Sequence, residues 1–255
     1  MKDFITMTDL HCHILPGIDD GAQNVSESLK LLKREYEDGV RNIALTSHFN
    51  SKRTTVEAFL ERREKAYGEL QEALQQESME FNFKLGAEVF FSPELCDLDA
   101  ASLCMEGTSY MLIEFPTTHR PHFIRQTFSN LNSQGIYPII AHVERYPFIM
   151  DYPQFLYELV AAGAYAQINA GALLQKGQAK QLLNLIKWDL VHVISTDTHS
   201  MDKRPPKMAE AMELIEHKLG SNTAEQIRRN GTDLFEDQEL DCDPYCPRKF
   251  LGRWV

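Results

Sequence analysis

Short, almost wholly apolar runs alternate with amphipathic stretches along most of this chain, and that alternation narrows the folds open to it. The run FITM ahead of His11, then NIALTSH (42–48), FKLGAEVFF (83–91), YMLIEF (110–115), YPIIAH (137–142), AYAQIN (164–169) and LVHVISTDTH (190–199) read as seven strands. Between them lie helical patterns, such as Val25, Leu29, Leu32, Tyr36 and Val40 behind a capping-box start at Asn24 and Glu27. Pro153 marks a helix start and Gly39, Gly135 and Gly163 mark helix ends. Further helices are expected around 55–77 and 175–187, in RPHFIRQTFSNLNSQG, PPKMAEAMELIEHKLG, and in TAEQIRRNG up to Gly231. Strands without polar alternation are buried on both faces, as in a parallel sheet covered by helices.

The ends of these strands carry the chemistry. Six of them finish in side chains able to bind a metal: His11 and His13, His48, Glu88, Glu114, His142, and Asp197 with His199. Residues i and i+2 share a strand face, so His11 and His13 point together while Cys12 points away. Asp20, in the loop IDDGA, adds another carboxylate. In a closed parallel barrel the C-terminal strand ends meet at one mouth, where active sites sit. A buried structural histidine explains any one of these residues, but not their gathering at strand ends. His119, His122, His192 and His217 fall on no such position. His192 reads as structural, and His119 with Arg120 as lining the mouth.

The net charge of −11 argues against partners such as nucleic acid or an anionic membrane surface. Five scattered cysteines read as reduced thiols of a cytoplasmic protein. There is no apolar run of signal-peptide or membrane-spanning length, and no glycine-rich phosphate loop.

The residues HCH, Asp20, TSH, GAE, LIEF, IAHVER and STDTH, in this order, resemble the PHP (polymerase and histidinol phosphatase) superfamily. Within it they are most similar to the bacterial manganese-dependent protein-tyrosine phosphatases of capsule and exopolysaccharide loci. The resemblance implies a distorted (β/α)7 TIM-like barrel over residues 1–236, followed by a tail, 237–255. It also implies three divalent ions. His11, His13, Glu88 and Asp197 would hold the first; Glu88 would bridge to a second completed by Glu114 and His142; Asp20, His48 and His199 would hold the third. Imidazole and carboxylate ligands suit Mn²⁺, Fe²⁺ or Zn²⁺ better than Mg²⁺, and the family favours Mn²⁺. Four carboxylates against three divalent ions leave about +2 at the mouth, a charge that fits a phosphate dianion. Arg145, three residues after His142, and Arg204, five after His199, match phosphate in bidentate geometry. Arg145, Arg204, Asp197 and His199 are the expected catalytic residues. The implied partner is a phosphotyrosine protein, a bacterial tyrosine kinase. Alternatives are a histidinol-phosphate phosphatase with the same metal architecture, or a metal-bound scaffolding protein without turnover.

The segment CDPYCPR (242–248) satisfies Cys-x5-Arg, the pattern of cysteine-dependent tyrosine phosphatases. Pro244 and Pro247 remove two of the N–H donors such a phosphate cradle needs. Cys242 is therefore not expected to be a nucleophile. The basic, aromatic end PRKFLGRWV is expected to pack on the barrel rather than to serve as a docking peptide.

Overall fold

The computed structural model describes residues 6–251 and 253–254. The first strand is β1 (Met7–Cys12), and Phe4 and Ile5 of the run FITM lie outside the described residues. There follow α1 (Val25–Glu37), β2 (Val40–Leu45), β3 (His48–Phe49), α2 (Val56–Leu74), β4 (Asn82–Leu85), β5 (Glu88–Phe90), β6 (Tyr110–Glu114) and α3 (Ile124–Ser133). The chain continues through β7 (Tyr137–Ile140), α4 (Pro147–Met150), α5 (Pro153–Val160), β8 (Tyr165–Asn169), α6 (Ala170–Leu173), α7 (Ala179–Lys187) and β9 (Val193–Ser195). It ends with α8 (Met208–Leu219), α9 (Ser221–Phe235) and a small antiparallel hairpin, β10 (Lys249–Phe250) and β11 (Arg253–Trp254).

Every pairing from β1 to β9 is parallel, in the orders β1-β2-β4 and β3-β5-β6-β7-β8-β9. The strands expected over 42–48 and 83–91 are each broken, at Thr46–Ser47 and at Gly86–Ala87. The two breaks lie side by side: Gly86 N–H donates to Leu45 O, and Glu88 N–H to Thr46 O and Ser47 O. The two sheets are thus one curled sheet, interrupted at a single level. Its ends meet through the Cys12–Thr198 bridge, with Asp197 N–H donating to His11 O (2.7 Å) and His13 N–H to Thr198 O (2.9 Å). The result is a partly open, distorted barrel of seven strands, two of them broken, as the sequence led us to expect.

The barrel interior is divided along its axis. Leu10, Leu112, Ile139, Tyr165 and Val193 fill the N-terminal part, closed below by Leu234 and Phe235. Outside, the opposite strand faces pack with Leu32, Phe59, Leu131, Leu156, Leu182 and Ile215 of the helices. Each such side chain contributes about 1.5–3 kcal/mol of transfer free energy. The ionisable residues are left for the C-terminal end.

Three helices depart from expectation. The buried face of α1 is Ser28, Leu31, Leu32 and Glu35, because Ser28 donates to Ile14 O (2.6 Å) and Glu35 accepts from Thr196 (2.9 Å). Helix α3 begins only at Ile124, since Phe123 holds a left-handed backbone (φ 65°). Helix α9 runs past Gly231 to Phe235; the glycine sits against β1, where a Cβ would meet Thr8 Cβ at 3.4 Å. It serves close packing there, not helix termination.

Beyond α9 the chain returns to the barrel: Asp243 N–H donates to Asp189, Tyr245 N–H to Trp188 O, and Trp254 Nε1–H to Asp151 O. Among the described residues no helix is long and apolar enough to cross a membrane.

Candidate metal centre

The pairing of β1 on β2 shifts register between Asp9 and Cys12. Leu10 enters the apolar interior, while His11 and His13 turn into the C-terminal mouth with their Nε2 atoms 3.2 Å apart. Glu88 rises from the start of β5 between them. Its Oε2 lies 3.3 Å from His11 Nε2, 3.2 Å from His13 Nε2 and 2.9 Å from His48 Nδ1. Its Oε1 lies 2.7 Å from His142 Nε2. Glu114, at the end of β6, stands 3.4 Å from His48 Nδ1 and 4.0 Å from His142 Nε2. On the solvent side Asp20 Oδ1 faces His48 Nε2 (3.2 Å) and His199 Nε2 (3.5 Å). Asp197 Oδ1 completes the inner wall, 3.5 Å from both His11 and His13.

All nine sequence-derived ligand candidates thus meet in one place. They form four overlapping groups: His11, His13 and Glu88; His11, His142 and Asp197; His48, Glu88 and Glu114; and His13, Asp20, His48 and His199. Two of these residues occupy left-handed backbone, His142 at φ 31° and Asp197 at φ 49°. Such conformations cost about 1–3 kcal/mol each and persist where the surroundings enforce them, often at functional sites.

Arg145 and Arg204 reach the rim together. Both pair with Asp197, Arg145 at Oδ2 and Arg204 at Oδ1 (3.0 Å). They open onto a cleft of about 670 Å³, lined also by Thr117, Asn169, Leu174 and Gln175.

A protein-family model described as capsular polysaccharide synthesis, CpsB/CapC, matches residues 7–236. The chain belongs to the CpsB/CapC family. It is 33% identical over 255 residues to the tyrosine-protein phosphatase YwqE of Bacillus subtilis (strain 168), covering 96% of this chain and 99% of that one. It is 30% identical over 231 residues to the tyrosine-protein phosphatase CpsB of Streptococcus pneumoniae, covering 87% and 94%. Among solved structures, a chain from the crystal structures of Bacillus subtilis YwqE and Streptococcus pneumoniae CpsB superposes with TM-score 0.88. It is 31% identical, with 96% of this chain and 100% of that one covered, and those proteins are described as unique metal-dependent tyrosine phosphatases. The lactonase Lmo2620 of Listeria monocytogenes, at 12% identity, TM-score 0.60 and coverage of 93% and 96%, shares the fold.

The donor set of this CpsB/CapC chain suits more than one divalent ion. Five imidazoles and four carboxylates crowd together, and two buried atoms at the centre, Glu88 Oε2 and His48 Nδ1, stand 2.9 Å apart without hydrogen-bond geometry to each other or to any other group. Burial opposes the charged ring of His13, yet Asp19 and Glu88 override it and lift its pKa to about 10. Burial likewise opposes ionised Glu88, but His11, His13 and His142 hold it well below the ordinary carboxylate range. His142 and His199 are instead held below the ordinary imidazole range, by burial above all.

Partners that the sequence did not reveal orient these rings. Asp19, not its neighbour Asp20, accepts from His13 Nδ1 at 2.8 Å and from the backbone N–H of His48 at 3.0 Å. Gln167 Oε1 lies 3.2 Å from His11 Nδ1 and accepts from His142 N–H (2.7 Å). Its amide donates to Asn169, which donates to Asp197 Oδ2 (2.7 Å). Tyr146 Oη lies 3.0 Å from His142 Nδ1 and accepts from Phe115 N–H. Such contacts leave Nε2 of His11, His13 and His142 for a metal. Gly21 allows the loop to close on β1, since a Cβ there would fall 2.1 Å from His13 O.

The remaining candidates lie elsewhere. His192 is fully buried, with Nδ1 accepting from Ala166 N–H, a structural role as expected. His122 and His217 are exposed, and neither joins the cluster. His119 and Arg120 do not line the cleft, contrary to expectation. Thr118 draws in His119, and the Phe155 ring lies 4.7 Å beneath the Arg120 guanidinium. Cys242 packs beside Tyr165 and Leu240, at the strand end remote from the cluster. Burial and the carboxylates of Asp189, Asp241 and Glu239 push its thiol up to about 12, the reverse of a nucleophile's needs.

Proposed function

We propose that this protein hydrolyses phosphotyrosine in proteins with the help of divalent metal ions, and that its substrate is a bacterial tyrosine autokinase regulating capsule or exopolysaccharide production. The observation that carries the reading is the convergence of nine ionisable side chains beside two arginines at one end of the barrel. Its close relatives are tyrosine-protein phosphatases.

In this reading His11, His13, Glu88 and Asp197 hold one ion, Glu88, Glu114 and His142 a second, and Asp20, His48 and His199 a third. Glu88 is suited to bridge, because its two oxygens face different imidazoles. Mn²⁺ is the proposed metal, with Fe²⁺ or Zn²⁺ compatible with the same donors. Ions held by these residues would supply an acidified water as nucleophile and would neutralise charge on the phosphate oxygens. Arg145 and Arg204 bind and orient the phosphate with N–H donors not engaged by Asp197. Asp197, by accepting from both guanidiniums, sets their spacing before substrate arrives. His199 fixes the rim through its contact with Arg204 Nη1, 2.9 Å from Nδ1. A phenol, with a pKa near 10, leaves readily enough that a protein proton donor is not required.

The test is phosphate release from a phosphotyrosyl peptide and from histidinol phosphate, after chelation and Mn²⁺ add-back. Mn²⁺-dependent release from the peptide is expected. Preference for histidinol phosphate would move the protein to small-molecule metabolism. Metal binding without any release would make it a scaffold, and release surviving thorough chelation would overturn the metal reading.

A further inference from the structure

The cleft beside the metal centre carries more positive charge than a phosphate needs. Besides Arg145 and Arg204, its wall includes Lys203 and Lys207, from the segment between Ser200 and α8. Among the described residues, the only carboxylate lining it is Glu144, which is buried and turned toward the backbone N–H of Asn169. Four cations therefore line the cleft with one buried carboxyl group, two of them already paired with Asp197, in a protein whose net charge is −11.

The two lysines differ from the two arginines in their ties. Both arginines are anchored on Asp197. Among the described residues, neither lysine forms an ion pair, although 37 acidic residues are present in the chain. Lys203 is exposed and Lys207 half-buried, and both line the cleft. The same cleft is lined by Leu174, Ala172 and Pro205, apolar side chains suited to a phenyl ring.

We infer that Lys203 and Lys207 form a second anion subsite that reads an acidic side chain flanking the phosphotyrosine. The favoured substrate class is then an acidic phosphotyrosyl segment of a protein, with Asp or Glu close to the target tyrosine in sequence. This inference rests on the phosphotyrosine reading above. Lysine fits such a subsite because it is a mobile point charge that accepts carboxylates at several offsets, whereas a guanidinium fork demands one geometry. The local field also concentrates acidic segments at an otherwise repulsive surface, an effect that weakens as salt rises.

The experiment compares kcat/KM of the Mn²⁺-loaded protein on two phosphotyrosyl peptides, one flanked by Glu and one by Gln at the same positions. Exposed charge pairs of this kind should favour the Glu peptide by about five- to tenfold at low salt, mainly through KM. In the double variant Lys203→Gln/Lys207→Gln the ratio should fall to about one, and in Lys203→Glu/Lys207→Glu it should invert. The same charge change made on α1, Lys30→Gln/Lys33→Gln, should leave the ratio as it was. Equal rates on both peptides in the unaltered protein, or a preference that survives loss of the lysines, would overturn the subsite. Failure to hydrolyse either peptide with Mn²⁺ present would instead overturn the underlying activity, so the two failures are distinguishable.

Discussion

Asp19 Oδ2 lies 2.8 Å from His13 Nδ1, and the same carboxylate accepts the backbone N–H groups of Gly21 and His48. One side chain thereby fixes an imidazole from β1, the turn that follows it, and the start of β3. Asp19→Ala removes the group that sets the ring's orientation and basicity. Metal affinity should fall by about 10- to 100-fold. The Mn²⁺ concentration giving half-maximal activity reports this directly, and a curve overlaying that of the unaltered protein would refute the assignment.

Arg145 and Arg204 are expected to act on the phosphate rather than on the ions. Alanine at either position should lower kcat/KM by about 10²-fold, or roughly 2.7 kcal/mol, with lysine restoring only part of it. Manganese per chain, measured by elemental analysis, should stay constant. Loss of bound manganese in either variant would place that arginine among the supports of the metal site instead.

His192 gives the fold an acid limb. Its ring is wholly buried, and burial pulls its pKa from 6.5 down to about 4. The unfolded ring takes up a proton below about pH 6.5, whereas the folded ring resists until about pH 4. Stability from the neutral ring is thus complete above 6.5 and is lost as pH falls, by about 2 kcal/mol at pH 5. In His192→Gln the difference in urea midpoint between pH 7.5 and pH 5 should shrink accordingly. An undiminished difference would mean that other groups carry the effect.

Cys242→Ser should leave kcat/KM within about twofold of the unaltered value, because a high-pKa thiol remote from the arginines contributes no nucleophile. Loss of turnover in this variant, with manganese still bound, would revive the cysteine mechanism.

The seven strands and the nine clustered side chains were legible because burial on both faces leaves an apolar signature, and because barrel strands deliver their last residues to a common mouth. The breaks at Thr46–Ser47 and Gly86–Ala87 were not, since changing hydrogen-bond partners leaves the apolar pattern intact. Asp20 was singled out, but the part played by its neighbour Asp19 was not: adjacent carboxylates have the same chemistry, and only the turn geometry brings Asp19 onto His13. Gln167 and Asn169 stayed hidden for a related reason. Uncharged amides inside an apolar strand look like tolerated polar residues until their partners, His11 and Asp197, are in place.

The seam of the barrel has a further consequence. Backbone contact between the first and last strands is slight, one isolated bridge from Cys12 to Thr198 and two flanking hydrogen bonds. Yet His11 and His13 stand on one lip of that seam and Asp197 and His199 on the other. An ion shared across them would be a clasp between the two lips of the barrel, doing for this ring what a crosslink does for a loop. Stripping the metal should then loosen β1 and β9 before the rest of the molecule, as faster amide exchange in those strands would reveal. In that event the chemistry and the closure of the barrel are a single equilibrium.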